Sequence, residues 1–254
     1  MLFQELGDRV FRRRYESLDQ NIGVVIGTES VCLIDSRCYD PDPDQLRHDL
    51  ATLTNLPVRY LINTHMHWDH TFGNDRFPES TIVGHDRCRS SLIENGEATR
   101  LRLLTAEWMP DDVRPHYRTY QIVPPTVTFD QAITLHLDDR RIDLAWLGRA
   151  HTDNDVTITV DDVCFVGDMI EEGAPPVFQD SYPSEWVVTL DRVLAANPPT
   201  VVPGHGDVVD TDFVRHQRDQ ISQAVAHLTT GEGSAPWSEA VMASIAARLS
   251  AGTD

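Results

Sequence analysis

No part of this 254-residue chain approaches the run of about twenty uncharged apolar residues that crosses a bilayer as a helix. A membrane-embedded protein is therefore not expected. The opening MLFQELGDRVFRRRYESLDQ mixes charged and apolar residues from the start and lacks the basic-then-apolar order of a secretory signal, so a cytoplasmic location is expected. Positive charge is scarce: 21 basic residues stand against 40 acidic ones, a net charge of −19. Such a field repels phosphate backbones and anionic headgroups, which makes nucleic acid and membrane surfaces poor partners and a small molecule the better expectation. Cysteine is sparse and scattered. Cys32, Cys38, Cys88 and Cys164 form no C-x-x-C pair, and without an export signal reduced thiols are expected, with Cys32 and Cys164 as small buried hydrophobes inside apolar runs. Also missing are G-x-G-x-x-G, G-K-[ST] and G-x-S-x-G, which weakens nucleotide-dependent and serine-nucleophile readings. No internal repeat, low-complexity tract or linker composition appears, and one domain over 1–254 is the expectation.

What is present alternates strands with helices. Gly23–Ile26, Val31–Ile34, Val58–Ile62 and Thr81–Val83 are short, β-branched runs that predict strands. Ile133–Leu137 with Arg141–Trp146, and Thr157–Val160 with Val163–Val166 across Asp161-Asp162, predict two hairpins. A helix is expected to open at Asp42-Pro43, with Asp as cap, Gln45 completing a box-like pattern, and Leu46, Leu50 and Leu53 on one face. Others are expected after Pro183 up to Asn197-Pro198-Pro199, from about Val214 to Gly231, and from Pro236 onward. Pro110–Pro125 and the stretch from Gly173 read as loops. Hairpins among helices point to α/β architecture with mixed rather than purely parallel sheets.

The chemistry concentrates after the run Val58–Ile62. His65-Met66-His67-Trp68-Asp69-His70 places four metal-ligand side chains in six residues, with His65 and His67 at a spacing that lets both project to one side. Three later apolar runs end in His151, Asp168 and His205, each with small residues nearby. Loops at strand ends are where a rigid scaffold presents a site. Five histidines and two aspartates suffice for two metal ions with a position open for water or substrate at each. The remaining histidines read singly as surface or satisfied buried residues. Asp153 and Asp155, flanking His151, can be acceptors for its imidazole or turn and cap residues. Trp68 is expected to pack beside the site or line a substrate groove. His116, Tyr117 and Tyr182, in irregular stretches, are pocket-mouth candidates, while Trp186 and Trp237 read as core.

At these residues the chain resembles the metallo-β-lactamase superfamily, whose H-x-H-x-D-H motif is matched by His65, His67, Asp69 and His70, and whose later ligands are matched in order by His151, Asp168 and His205. The resemblance implies an αβ/βα sandwich of two mixed β-sheets flanked by helices. It implies a first metal on His65, His67 and His151, a second on Asp69, His70 and His205, and Asp168 bridging both. Two divalent ions are expected, zinc foremost, with iron or manganese as alternatives. The lactamases of this superfamily lack an aspartate at the bridging position, whereas similar thioesterases, lactonases and phosphodiesterases use one. Asp168 thus argues against an antibiotic-degrading specialist, and Cys164, four residues earlier, cannot take its place.

The function these features imply is hydrolysis of a small ester, thioester, lactone or related acyl substrate by a metal-bridging hydroxide, with Asp69 also catalytic in proton transfer. Only 36 residues separate Asp168 from His205, too few for the inserted domain of nucleic-acid-processing members. A mononuclear-iron persulfide dioxygenase on the same fold is the alternative, and a metal-binding protein without turnover ranks last. A glyoxalase II-like activity is disfavoured, because Met169-Ile170-Glu171-Glu172-Gly173 is acidic where a basic glutathione-gripping stretch is needed. Oligomeric state is not legible.

Overall fold

A computed structural model describes residues 2–252. The first half builds a seven-stranded sheet from β1 (Gln4–Gly7), β2 (Val10–Arg14), β3 (Asn21–Ile26), β4 (Val31–Ile34), β5 (Val58–Ile62), β6 (Thr81–His85) and β7 (Val127–Phe129), in sequential order. β1 to β4 pair antiparallel; β4 through β7 run parallel, as their helical crossovers require. Those crossovers hold α1 (Gln45–Leu53), the one-turn α2 (Trp68–Thr71) and the long α3 (Asp86–Leu104). The second half builds a five-stranded sheet from β8 (Ala132–Leu137), β9 (Arg140–Trp146), β10 (Val156–Val160), β11 (Val163–Glu171) and β12 (Thr200–His205), with α4 (Pro183–Ala196) as the crossover to β12, followed by α5 (Thr211–Thr230) and α6 (Glu239–Ser250). Both hairpins expected from the sequence form, β8 with β9 and β10 with β11.

The period-two pleat shows how the two sheets face each other. In β4, Cys32 and Ile34 enter the core between the sheets, while Val31 and Leu33 face Leu46 and Leu50 of α1. In β11, Val163 and Phe165 meet the inter-sheet core, while Cys164 and Val166 point to Trp186 and Leu190 of α4 and Ile221 of α5. Both sheets are thus covered on both faces, giving the αβ/βα sandwich. Cys164 faces the helical layer, with Thr159 Oγ1 donating to its sulfur at 3.6 Å. All four cysteines are free and buried.

Local signals set most boundaries. α4 starts with Pro183 in its first turn and stops where Asn197 takes a left-handed conformation (φ 48°) before Pro198-Pro199; α5 is capped by the Asp210 carboxylate and ends at Gly231 (φ 74°). Two starts differ from expectation. α1 begins at Gln45, because Asp42 uses one oxygen to accept from Asp44 N–H and the other to contact His48 Nδ1, so it closes a turn instead of capping the helix. α6 begins at Glu239 after Ser238, with Pro236 and Trp237 left in the approach. Among the described residues no helix is long and apolar enough to cross a membrane.

Candidate metal centre

Every ligand candidate sits at or just beyond the end of a strand on one rim of the sandwich. β5 delivers the chain through Asn63 and Thr64 to His65 and His67; α2 turns it back so that Asp69 and His70 face the same space. From the other sheet come His151 in the β9–β10 connection, Asp168 within β11 and His205 closing β12. His65, His67, His151 and Asp168 form one group of ligand atoms, and Asp69, His70 and His205 a second, with the atoms of each group within 4.8 Å of one another. The sequence-predicted seven are therefore brought together, in two groups of which the first includes Asp168.

Asp168 stands between the groups. Its Oδ2 lies 3.6 Å from both His65 Nε2 and His151 Nε2, and its Oδ1 lies 3.2 Å from His70 Nε2 and 3.5 Å from His205 Nε2. Close backbone approach makes this position attainable: a Cβ on Gly204 of β12 would fall 1.9 Å from Asp168 Oδ1, so only glycine lets the strand pass the carboxylate.

The imidazole nitrogens turned away from the cluster are all engaged. Nδ1–H of His151 donates to Val177 O at 3.1 Å, and Nδ1–H of His205 donates to Leu18 O at 2.6 Å. His67 Nε2–H donates to Asp180 at 3.0 Å and His70 Nδ1–H to Asp35 at 2.8 Å. His65 Nδ1 lies 3.0 Å from Thr64 Oγ1, whose own proton goes to Asp35 Oδ2 at 2.7 Å, so that hydroxyl accepts from the imidazole. Each ring is thus held with its other nitrogen aimed into the cluster, the arrangement that fixes tautomer and basicity in metal-binding histidines. Inside, His65 Nε2 and Asp168 Oδ1 are buried with no hydrogen-bond partner. Buried polar atoms without partners are costly, and a cation is the partner that this set of nitrogens and carboxylates suits. The residues fit divalent metal.

Electrostatics separate the groups. Burial, reinforced by the neighbouring imidazoles, holds His65 well below the usual histidine range and pushes His151 down to about 4, so both are neutral donors at pH 7. For His70 and His205 burial acts the same way but is outweighed by Asp168 and Asp69, which hold both well above that range. Burial raises Asp69, yet His70 and His205 override it and keep it ionised. Glu171, at the end of β11, is pushed up to about 8 by burial and by Asp168.

A cavity of about 320 Å³ opens over the cluster, lined by Trp68, Asp69, His151, Asp168 and His205 together with Leu18, Arg102, Glu171, Val177, Gln179 and Asp180. Trp68, proposed from sequence, forms its wall. The other pocket-mouth candidates lie elsewhere: His116 donates to Pro41 O, Tyr117 is fully buried with its hydroxyl 3.4 Å from Cys38 Sγ, and Tyr182 lines a neighbouring cavity beneath Arg149 and Arg248. Asp155 does not reach His151 but accepts from Thr152 N–H and Oγ1–H, and Asp153 accepts from Asn154. Asp35, Arg102, Glu171 and Asp180 are the residues for which the sequence suggested no role. Only Asp35, an acid directly after an apolar strand, carried any local signal.

Residues 16–205 match the family model of the metallo-beta-lactamase superfamily. The chain belongs to that superfamily. A stretch of 108 residues is 31% identical to a metallo-beta-lactamase type 2 from Bacteroides fragilis, spanning 40% of this chain and 43% of that relative's length. Among solved structures, a metallo-beta-lactamase from Pontibacter korlensis superimposes with a TM-score of 0.69 at 17% identity, over 87% of this chain and 98% of the other. The DIM-1 metallo-beta-lactamase exposed to ceftazidime gives 0.66 at 18% identity, over 87% and 96%. At such identities the structural likeness is one of fold. Membership of the superfamily supports divalent-metal binding at the cluster and, broadly, metal-dependent hydrolysis.

Proposed function

We propose that this chain is a dinuclear metal-dependent hydrolase of small acyl substrates: esters, thioesters, lactones or related compounds. The observation that carries the reading is the Asp168 carboxylate, with one oxygen toward the His65–His151 group and the other toward His70 and His205. His65, His67 and His151 would hold one ion, Asp69, His70 and His205 the other, and Asp168 both; a nitrogen-rich donor set with open access suits zinc. Bound there, two divalent ions would supply Lewis acidity toward an acyl oxygen and an acidified water near neutral pH.

The protein's own residues do the rest. The fully buried His65 and His70 exclude bulk water from the cluster floor, and Trp68 walls the cavity so that a flat acyl group is confined beside the ligands. Asp69 Oδ2, 3.3 Å from His205 Nε2 and 3.4 Å from His70 Nε2, stays ionised and faces the cavity, where it can accept a proton and pass it to a leaving group. The substrate is a small molecule, in keeping with a net charge of −19 that repels phosphate backbones and anionic headgroups, and the cytoplasm is the compartment proposed.

The test is elemental analysis of the purified protein combined with a panel of thioester, lactone, phosphodiester and β-lactam substrates, before and after chelation. Two ions per chain and chelator-sensitive acyl hydrolysis are expected. One iron per chain with oxygen consumption on a persulfide would replace this reading with a dioxygenase, and full metal occupancy without turnover would replace it with a metal-binding protein.

A further inference from the structure

The acyl-hydrolase reading names a bond to be cut but not the rest of the molecule that carries it. Among the described residues lining the cavity over the ligand cluster, Arg102 is the one basic side chain that is not itself a metal-ligand candidate. It also lines an adjoining cavity of about 350 Å³ between α3 and the ligand loop, where Ser91, Asn95 and Thr99 continue the same face of α3 and Trp68, Gln179 and Asp180 are shared walls. The two spaces adjoin along the helix as a groove with shared walls, and Arg102 lines both.

Its guanidinium makes no hydrogen bond or ion pair with the described residues. That is unusual here. The chain contains no lysine, and its 21 arginines face 40 acidic residues, so carboxylate partners are plentiful. Two residues earlier on the same helix, Arg100 is bound to Glu97 and to Tyr117 O. Arg13, Arg37 and Arg140 are likewise held by Asp49, Asp40 and Asp161. Arg102 alone in the groove keeps its planar fork of donors uncommitted, the geometry that matches a carboxylate with two parallel bonds. Asp180 lines both cavities but is engaged by His67, on the ligand side.

We infer that Arg102 is a specificity-determining residue that selects acyl substrates bearing a free carboxylate, seating that group in the α3 groove while the scissile carbonyl lies at the ligand cluster. The inference rests on the hydrolase reading for the reaction but not for the recognition. A molecule as acidic as this one repels anions at long range, so binding an anionic substrate demands a local, unneutralised cation beside the chemistry. The plainer role, a basic residue in the last turn of α3 complementing the helix dipole, leaves ligand charge preference unaffected and is thereby separable.

The test uses the metal-loaded full-length protein and probes that bind without being turned over. Mercaptopropanoate, mercaptobutanoate and mercaptopentanoate, each compared with its primary amide, offer the cluster a soft sulfur donor and differ within each pair only in the carboxylate. Calorimetry of the wild-type protein is expected to show at least one acid binding ~10-fold or more tighter than its amide, the scale of a charge-assisted hydrogen bond. Arg102→Gln should bring that ratio close to one, and Arg102→Lys should keep part of it, with metal content and thermal midpoint recorded for each variant. Amides binding as well as acids to the wild-type protein, or an acid preference that survives in Arg102→Gln, would overturn the inference. If no ester, lactone or thioester is hydrolysed, the reaction assigned above fails while these binding ratios still decide Arg102. Where turnover is found, the acid-over-amide ratio in kcat/KM should collapse in Arg102→Gln, chiefly through KM.

Discussion

The carboxylate of Asp35 lies 2.8 Å from Nδ1 of His70, and both side chains are almost wholly inaccessible to solvent. Asp35 directly follows β4 in a left-handed conformation (φ 64°), which aspartate tolerates better than most residues. From there it also accepts from Thr64 N–H and Thr64 Oγ1–H, each at 2.7 Å. A single acid thus orients His70 directly and His65 through Thr64. In Asp35→Asn the amide cannot serve all three donors and presents its own N–H groups to them. The second ion is expected to bind about 10–100-fold more weakly, the usual loss when such a supporting acceptor is removed. Competition with a chromophoric chelator measures it; unchanged affinity would mean that the contact does not orient the ligand.

Asp69 has two proposed tasks, as a ligand in the second group and as a proton carrier. Asp69→Asn retains a ligating oxygen but removes the negative charge and the basic site. Turnover on the best acyl substrate should fall by about 100-fold or more, within the range general acid–base groups contribute. Steady-state kinetics paired with metal analysis separates the tasks: a variant that keeps two ions and full turnover removes Asp69 from proton transfer.

Gly204→Ala inserts a methyl group where Asp168 Oδ1 sits, at 1.9 Å. Either β12 shifts away, moving His205 with it, or the carboxylate rotates off its position between the two groups. Occupancy at both sites should fall together, and the metal-free protein should lose about 1–3 kcal/mol from overpacking. Denaturant titration in the presence of a chelator, with metal content measured separately, tests both parts. Loss of only one ion would show that Asp168 serves a single group.

Asp155 offers a pH signature outside the ligand set. Burial pushes its carboxyl up to about 7 even though Thr152 donates two hydrogen bonds to it. The folded protein therefore holds this proton more tightly than the unfolded chain, whose aspartate titrates near 3.8. The contribution to stability is full below that value, declines as pH rises and is gone above about 7. Asp155→Asn cannot titrate. Its thermal midpoint relative to the wild type, both metal-free, should rise from pH 4 to pH 7 and stay level above. A difference that does not vary with pH would show that the acid is already ionised in the folded state.

The sequence disclosed the ligands because they are local and chemically unmistakable: four in a six-residue stretch, then three at the ends of apolar runs. Strands such as Val31–Ile34 and Val163–Val166 were legible for a related reason, since β-branched runs bounded by turn residues need no distant information. α3 escaped notice. Its buried positions include Cys88 and Gly96, against which Ile122 packs, and much of the helix is polar and solvent-facing, so no apolar stripe announces it. Arg102 was hidden with it. Asp180 and Val177 lie in an irregular stretch whose course is set by packing against His67 and His151, contacts between residues 113 and 26 positions apart that no local pattern encodes. Composition marks Pro110–Pro125 as a loop but not the direction in which it folds; it turns inward and packs the Tyr117 ring against Trp68 and Tyr120, away from the pocket mouth.

The division of the ligands between the two sheets bears on how the protein matures. His65, His67, Asp69 and His70 follow β5, while His151, Asp168 and His205 belong to the later strands, so neither half of the polypeptide owns a finished coordination set. On the dinuclear reading, capture of the ions would follow docking of one half on the other, and each ion would act as a rivet across the seam. Stripping the metal should first loosen that seam, leaving the individual sheets comparatively intact, so the earliest amides to exchange with deuterium would be those at the mating rim.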